Sequence, residues 1–508
     1  MKPRTTRLPD WAVWFACVLP LLGFWTYGLF DLDEGFYGAV VRDMIHRHDW
    51  ITPTLAGKPW FEKPILAYWL AIPSVQMFGD WVGPRLPSVL CTIATVAVIF
   101  RFVRKHSSAE VARLACLVYA TNLLVVAIGR MMMTDAPLVL SLTLALTTLA
   151  DVAFSHKPGS NVGAWCLIGL FVGLGVLAKG PVALILFGGI FIFSSFSVPA
   201  FKGIWKSAWP LGLLVCGVVV AMWYVPCYRA NGQTFIKEFL IDQNFGRFAG
   251  GDKAHTLPSW AAWANPFYYV AILAASLLPW VCFSGFSLVK NAWIKSKGDE
   301  PDDVKPNTLS KFLWIWFLVP LVFFTISGTK LPHYILPAVA PIAILVAVQL
   351  LKRRPTWRWE SIGLAWSACV LVTVHYVMVT DWTNRMKEVQ VAADFLNTRL
   401  FPVYVYKLGG SGDNSFSFEL RDSSHPSFLF YFHGKVFVTD KSSDFAENRN
   451  PYFVFTTREV AEHDPALRQF APTVMRIDGV PFRVNQYVLD YPGSKKYVIV
   501  AHVQQAWY

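Results

Sequence analysis

The sequence predicts a polytopic α-helical membrane protein carrying a small C-terminal soluble α/β domain. Three observations lead there: a composition too apolar for soluble domains, a succession of apolar runs, and a change of composition after residue 380. Hydrophobic residues make up 55% of the 508 and charged residues only 15%, whereas an ordinary globular chain is roughly 25% charged. Mean hydropathy is +0.42. That leaves too little polar surface to clothe the about two to four soluble domains this length would otherwise suggest.

The apolar runs come first along the chain. Residues 11–30, 84–103, 111–129, 136–154, 163–178, 182–198, 209–226, 266–288, 312–327, 334–351 and 361–380 are each long enough to approach the span of a hydrocarbon layer. The stretch 136–198 is nearly continuous and can be cut in more than one way, so the expectation is about 11–13 spans. The first run lacks a small-residue cleavage site before Asp31 and is expected to remain as a span rather than a signal peptide.

Charge then fixes an orientation. Lys plus Arg exceeds Asp plus Glu by twelve, and in a membrane protein such a surplus first asks for a topological explanation. With Lys2, Arg4 and Arg7 in the cytoplasm, alternate loops are basic too: Arg101, Arg104 and Lys105; His156 and Lys157; Lys202 and Lys206; Lys290, Lys295 and Lys297; Lys352, Arg353, Arg354 and Arg358. An odd number of spans places residues 381–508 outside. No basic-aromatic module accompanies the surplus, which argues against a nucleic acid partner. The eight cysteines lie in or beside apolar stretches and none forms a CxxC pair, so they read as packing residues.

Residues 1–380 therefore form the expected transmembrane domain, with an external loop at 31–81, and residues 381–508 the soluble one. In the tail, basic and acidic residues balance at fourteen each. Turn residues cluster at 409–415, and the runs 402–406, 435–439, 452–456 and 497–503 read as strands, with helices expected at 384–400 and 457–470. No catalytic motif stands out in it; a lid or scaffold role is the plain expectation.

Chemistry concentrates in the first external loop. Asp31, Asp33 and Glu34 follow a span directly, and Glu62 stands beside Lys63. Carboxylates at a bilayer surface are costly unless solvated, paired or functional. Tyr37 and the surrounding Trp and Phe residues fit a helix lying on the membrane surface. Under the orientation set by the basic loops, Arg130, Asp135, Lys179, Arg247, Lys330 and His333 also fall at the external side. Carboxylates and several cations in one external cavity suit an anionic lipid phosphate and a sugar.

The ordered motifs carry a resemblance. D-x-D-E-G-x-Y at 31–37, F-E-K-P at 61–64, T-D-A-P at 134–137, A-K-G-P at 178–181, Q-N-F-x-R-F at 243–248 and K-L-P-H-Y-I-L-P at 330–337 together resemble the GT-C membrane glycosyltransferases. The nearest pattern is the bacterial branch of the lipid A aminoarabinose transferases (ArnT), related to the protein O-mannosyltransferases. The resemblance covers residues 8–351 and implies a polyprenyl phosphate sugar donor. It also implies transfer with inversion at the periplasmic face of the inner membrane, onto lipid A or another envelope acceptor.

By motif, Asp33 corresponds to the family's essential acid, with Glu34 the neighbouring alternative. Asp33 acts as general base for a hydroxyl acceptor; for a phosphate acceptor it orients that group or stabilises charge developing on the sugar. Glu62 and Lys63 match the element near the donor phosphate. Arg247 is a second phosphate ligand, its guanidinium suited to bidentate binding. Asp135 resembles the family's second acidic position; Lys330 and His333 are further candidates to bind the donor phosphate, and Tyr37, Lys179 and Asn244 are candidates to line the cavity. No cofactor is required by this reading; a divalent metal is left open, with Glu62 as its candidate ligand. The aminoarabinose transferases have a histidine three residues before the R-F arginine, where this chain has Asn244. An amide is a poor zinc ligand, and Asn244 resembles the mannosyltransferase side instead, which brings protein O-glycosylation forward as an alternative. A transporter or flippase is the rival from another class, disfavoured because no internal repeat is visible and the charged candidates gather at one surface.

Overall fold

A computed structural model describes residues 8–31, 33–55, 57–155, 162–246, 266–284, 306–353, 355–385, 387–397, 402–406, 426–439, 441–446, 452–465, 467, 475–477, 480–482, 484–485, 488–489 and 497–502. Arg247, the turn cluster at 409–415 and the basic residues Lys2, Arg4, Arg7, His156, Lys157, Lys290, Lys295, Lys297 and Arg354 lie outside the described residues.

Among the described residues seven helices are long and apolar enough to cross a bilayer, or up to nine if each of two bent pairs is one span. The chain is thus a multi-pass membrane protein. The helices follow the apolar runs closely, and where they differ a specific residue is responsible. The run 11–30 is not one helix: Asp10–Val18 passes into a 3-10 turn at Leu19–Leu21, which contains Pro20. Gly23 then takes φ +77° with no room for a side chain, because a Cβ there meets the His375 ring at 2.9 Å. The run 266–288 divides into Tyr268–Ser276 and Trp280–Ser284, the latter opening after Pro279, since proline cannot donate the hydrogen bond that would continue a helix.

The contacts divide the chain into two compact units. The first comprises Met1–Phe24, Phe61–Met77 and Val82–Tyr376. Its core is a continuous apolar cluster running from Val13 through Leu142 and Phe312 to Leu350. Small residues let two of its helices approach closely, as helix pairs in lipid commonly do. Val162–Lys179 and Trp209–Phe235 meet at Gly169 and Gly212, where a Cβ on Gly169 would stand 2.1 Å from the Gly212 carbonyl oxygen. Helices Ala109–Ala120 and Leu123–Gly129 bend by 63°, and Asn122 makes the bend. Its Oδ1 accepts the Leu124 and Val125 N–H groups at 3.0 and 3.1 Å, while its Nδ2 donates to Ser276 Oγ at 3.1 Å.

The second unit comprises Trp25–Trp60, Phe78–Trp81 and Val377–Tyr508. The sequence runs expected as strands supply its four-stranded sheet: Tyr497–His502, Tyr452–Thr457, Val403–Tyr406 and Val436–Thr439 in spatial order. The first pair is antiparallel and the other two are parallel. Helices Lys387–Asn397 and Arg458–His463 lie within the two helical expectations, and Tyr404, Tyr406, Phe445, Tyr452 and Val454 form a small core. Helix Asp33–Arg47 belongs to this unit as well. Asp31 accepts from the Ser427 N–H and Oγ at 2.8 and 2.7 Å, and Arg42 donates to the Phe430 carbonyl at 3.0 Å while its guanidinium lies over that ring.

Candidate functional site

In the first unit, secondary structure places opposite charges where helix dipoles favour them. Asp135 opens helix Asp135–Ala153, and Lys179 closes helix Val162–Lys179. Gly180 follows with φ +81°, its N–H returning to the Val176 carbonyl at 2.7 Å; this left-handed cap is why glycine follows the lysine. The Lys179 ammonium donates to Asp135 Oδ1 at 2.5 Å and stands 4.4 Å from the Tyr334 ring centroid. The other carboxylate oxygen, Oδ2, is buried without a hydrogen-bond partner, 4.0 Å from His333 Nε2. Asp135, Lys179 and His333 thus converge from three separate motifs.

The F-E-K-P element is anchored beside them by aromatic packing. Phe61 meets Phe235 edge-on at 5.4 Å, and Phe235 stacks on Phe239 at 5.3 Å. Behind it, Lys63 donates to Glu62 at 3.2 Å. Phe239 belongs to an uncommon element: the helix from Trp209 breaks at Gly232, φ +58°, and resumes as a π-helix over Ile236–Gly246. π-Helical turns recur at functional sites because their wider winding redirects side chains.

These elements line an open cleft of about 100 Å³. Lys63, Lys179 and Glu62 supply its charged lining and Phe239, Phe323 and Phe324 its aromatic lining. Gln243, Asn244, Ser327, Thr329 and Tyr334 complete the polar lining. Of these, Gln243, Tyr334, Ser327 and Thr329 were not singled out from the sequence. The first two stand inside motifs that were, and that adjacency is the signal which marks them.

Lys330 has a different place from the one its motif suggests. Its ammonium donates to the carbonyls of Phe324 at 2.8 Å and Thr325 at 2.7 Å, and also to that of Ser327. Lysine has three N–H donors, and here all three close the end of helix Pro306–Ile326. Burial pulls its pKa below that of free lysine. Arg130 likewise donates to the Pro20 carbonyl and to His375 Nδ1, at 3.3 and 2.8 Å.

Asp33, Glu34 and Tyr37 belong to the second unit, in helix Asp33–Arg47. Glu34 is fully buried and its Oε2 accepts the Phe30 N–H at 3.0 Å, a capping role at the helix start. Asp33 is half-buried in the same first turn and Tyr37 is buried one turn on.

The metal expectation at Glu62 meets an unsuitable set of donors. Among the described residues no three His, Cys, Asp or Glu side chains gather closely enough to hold a metal ion. Glu62 faces an ammonium, and Asn244 uses its Nδ2 to donate to the Phe239 carbonyl at 2.5 Å. A zinc-type site needs several anionic or imidazole ligands, and these residues do not supply them.

Comparison with known proteins gives the same direction. Residues 62–225 match the family described as dolichyl-phosphate-mannose-protein mannosyltransferase. The chain is 28% identical over 371 residues to undecaprenyl phosphate-alpha-4-amino-4-deoxy-L-arabinose arabinosyl transferase 1 of Pseudomonas fluorescens (strain Pf0-1), covering 69% of this chain and 59% of that protein. It is 31% identical over 343 residues to the corresponding transferase of Pectobacterium atrosepticum, covering 67% and 58%. The matched stretch therefore spans less than three fifths of these relatives' length. In three dimensions the chain superposes on the crystal structure of ArnT from Cupriavidus metallidurans bound to undecaprenyl phosphate with TM-score 0.73. That superposition covers 97% of this chain and 98% of that one at 17% identity, and it shows the shared fold. The chain's resemblance to the GT-C membrane glycosyltransferases of the ArnT and protein O-mannosyltransferase type thus holds in sequence and in fold.

Proposed function

We propose that this protein transfers a sugar from a polyprenyl phosphate donor to lipid A or a related envelope glycolipid, with inversion, at the periplasmic face of the bacterial inner membrane. The observation carrying this reading is the cavity whose lining combines Lys63 and Lys179 with Phe239, Phe323 and Phe324. Ammoniums bind phosphate as point charges, and the aromatic lining suits the first hydrocarbon units of a polyprenyl chain. The names of the relatives, which are undecaprenyl phosphate aminoarabinose transferases, support the same donor class.

In the proposed reaction an acceptor oxygen forms a bond to the anomeric carbon on the face opposite the phosphate. The carbon–oxygen bond to phosphate breaks, and its electron pair leaves with polyprenyl phosphate. Lys63 and Lys179 neutralise that leaving group; stabilising charge which develops in the transition state is worth about 10²–10³-fold per group. Asp33 takes the acceptor's proton when the acceptor is a hydroxyl, a role assigned on the D-x-D-E-G-x-Y motif. The N-terminus is cytoplasmic and the sheet-bearing segment periplasmic, as the basic loops require. No step in this scheme uses a metal.

The family matched by residues 62–225 favours a second reading, transfer to protein hydroxyls. Incubating the purified protein with a panel of polyprenyl phosphate sugars and following consumption of each tests the donor. Mass spectrometry of lipid A and of periplasmic proteins, from cells with and without the gene, tests the acceptor. Unchanged lipid A together with lost protein glycans overturns the lipid reading.

A further inference from the structure

We infer that Gln243 recognises the sugar of the lipid-linked donor, its side-chain oxygen accepting a hydrogen bond from a hydroxyl or amino group; this rests on the reading of the cavity as the donor site. Two adjacent amides on the π-helix Ile236–Gly246 line that cavity. Asn244 donates its Nδ2 to the Phe239 carbonyl within its own segment. The Gln243 Oε1 is buried and has no hydrogen-bond partner. A buried acceptor left unmatched is unfavourable, so the arrangement is one that a bound donor group completes.

The chemistry of the proposed substrate narrows which group that is. Phosphate oxygens are acceptors and are served by the Lys63 and Lys179 ammoniums; an amide oxygen repels them. A polyprenyl chain offers no hydrogen-bond donor, and Phe323 and Phe324 give it a hydrocarbon wall. Only the sugar carries O–H or N–H groups. A site built to hydrogen-bond such a group discriminates strongly against an analogue lacking it, because the protein's own polar atom then stays unpaired. Gln243 is therefore a specificity determinant rather than part of the phosphate-binding charge.

The test uses the full-length purified protein and its Gln243→Met variant, which keeps side-chain length and removes the acceptor. Undecaprenyl phosphate without sugar is the first probe; pairs of undecaprenyl phosphate sugars differing by one hydroxyl or amino group are the second. The variant is expected to bind bare undecaprenyl phosphate within about twofold of the wild type, with an unchanged melting midpoint. Wild type is expected to favour one member of a sugar pair by about 10-fold in kcat/KM, and the variant to treat the two alike. Wild-type discrimination retained across every pair, or affinity for bare undecaprenyl phosphate lost to the same degree as sugar transfer, overturns the inference. A wild type that fails to bind bare undecaprenyl phosphate instead overturns the donor reading on which it stands.

Discussion

The first unit buries two clusters of charge, and they are built on opposite principles. At Arg113 each guanidinium nitrogen has a partner: Nε donates to Glu360 Oε1 at 2.6 Å, one terminal nitrogen reaches Asp10, and the other donates to the Leu8 carbonyl at 2.5 Å. The second Glu360 oxygen accepts the Leu8 N–H at 3.2 Å. At Asp135 one oxygen is held by Lys179 and the other has no hydrogen-bond partner, beside a cavity lined by Lys179, Lys63 and the unmatched Gln243 oxygen. Burial and ion pairing are common to both, so neither marks a functional site by itself. What separates them is capacity left over: the closed cluster joins helices, and the open one can meet a substrate.

That contrast can be broken by removing charge in pairs. Leaving one buried charge alone costs about 3–5 kcal/mol, whereas replacing a whole buried pair by apolar residues is often neutral. Arg113→Met is therefore expected to lower unfolding stability by about 3–5 kcal/mol and the Arg113→Met/Glu360→Leu pair to restore much of it. In both, transfer per folded molecule should match wild type, read by melting in detergent beside a turnover assay. Loss of turnover in the restored pair removes the distinction between the clusters.

At the open cluster, Asp135→Leu/Lys179→Met is expected to fold but to transfer about 10²–10³-fold more slowly, a barrier increase of about 2.7–4 kcal/mol. Full activity in that variant places the chemistry elsewhere. Lys330→Gln tests a smaller difference, between an ammonium that closes a helix end and one that binds substrate. Loss of one or two of its hydrogen bonds to carbonyls is expected to cost about 1–3 kcal/mol of stability, with the affinity for bare undecaprenyl phosphate unchanged.

The second unit supplies the smallest effect. Asp80 is paired with Arg42 and accepts from or shares a proton with His433 at 3.0 Å. Burial alone raises its carboxyl pKa, but His433 and the Arg42 guanidinium outweigh this and hold it below the usual carboxylate value. A lowered folded pKa means that the stabilisation is present above the unfolded value and is lost as pH falls through the folded one. His433→Ala is expected to cost about 0.2–1 kcal/mol near neutral pH, and the difference from wild type should shrink below about pH 4. A difference that grows as pH falls from about 4 to about 2 contradicts the assigned sign.

Much of the helical part was legible because hydrocarbon thickness and apolar run length are tied together. The failures have local causes that periodicity does not register: Pro20 and Gly23 cut short the first run, and Asn122 turned 111–129 into a bent pair. The strands of the tail were readable from short β-branched and aromatic runs between turn residues. Charge was harder. Arg113 lies within an apolar run, and Lys330 shares a motif with His333 and Tyr334 while its donors are taken by carbonyls.

The sequence by itself determined a multi-pass membrane chain and the motifs that hold the charged residues. These follow from composition and order along the chain, because a bilayer imposes length and polarity segment by segment. Only the tertiary structure decided which charged groups meet and which have capacity to spare. Asp135, Lys179 and His333 come from positions far apart in sequence, and a hydrogen bond is satisfied or left open by neighbours that no local pattern specifies. Gln243 and Asn244 are adjacent amides on one helix and both line the cavity; the fold engages the Asn244 Nδ2 and leaves the Gln243 Oε1 without a hydrogen-bond partner.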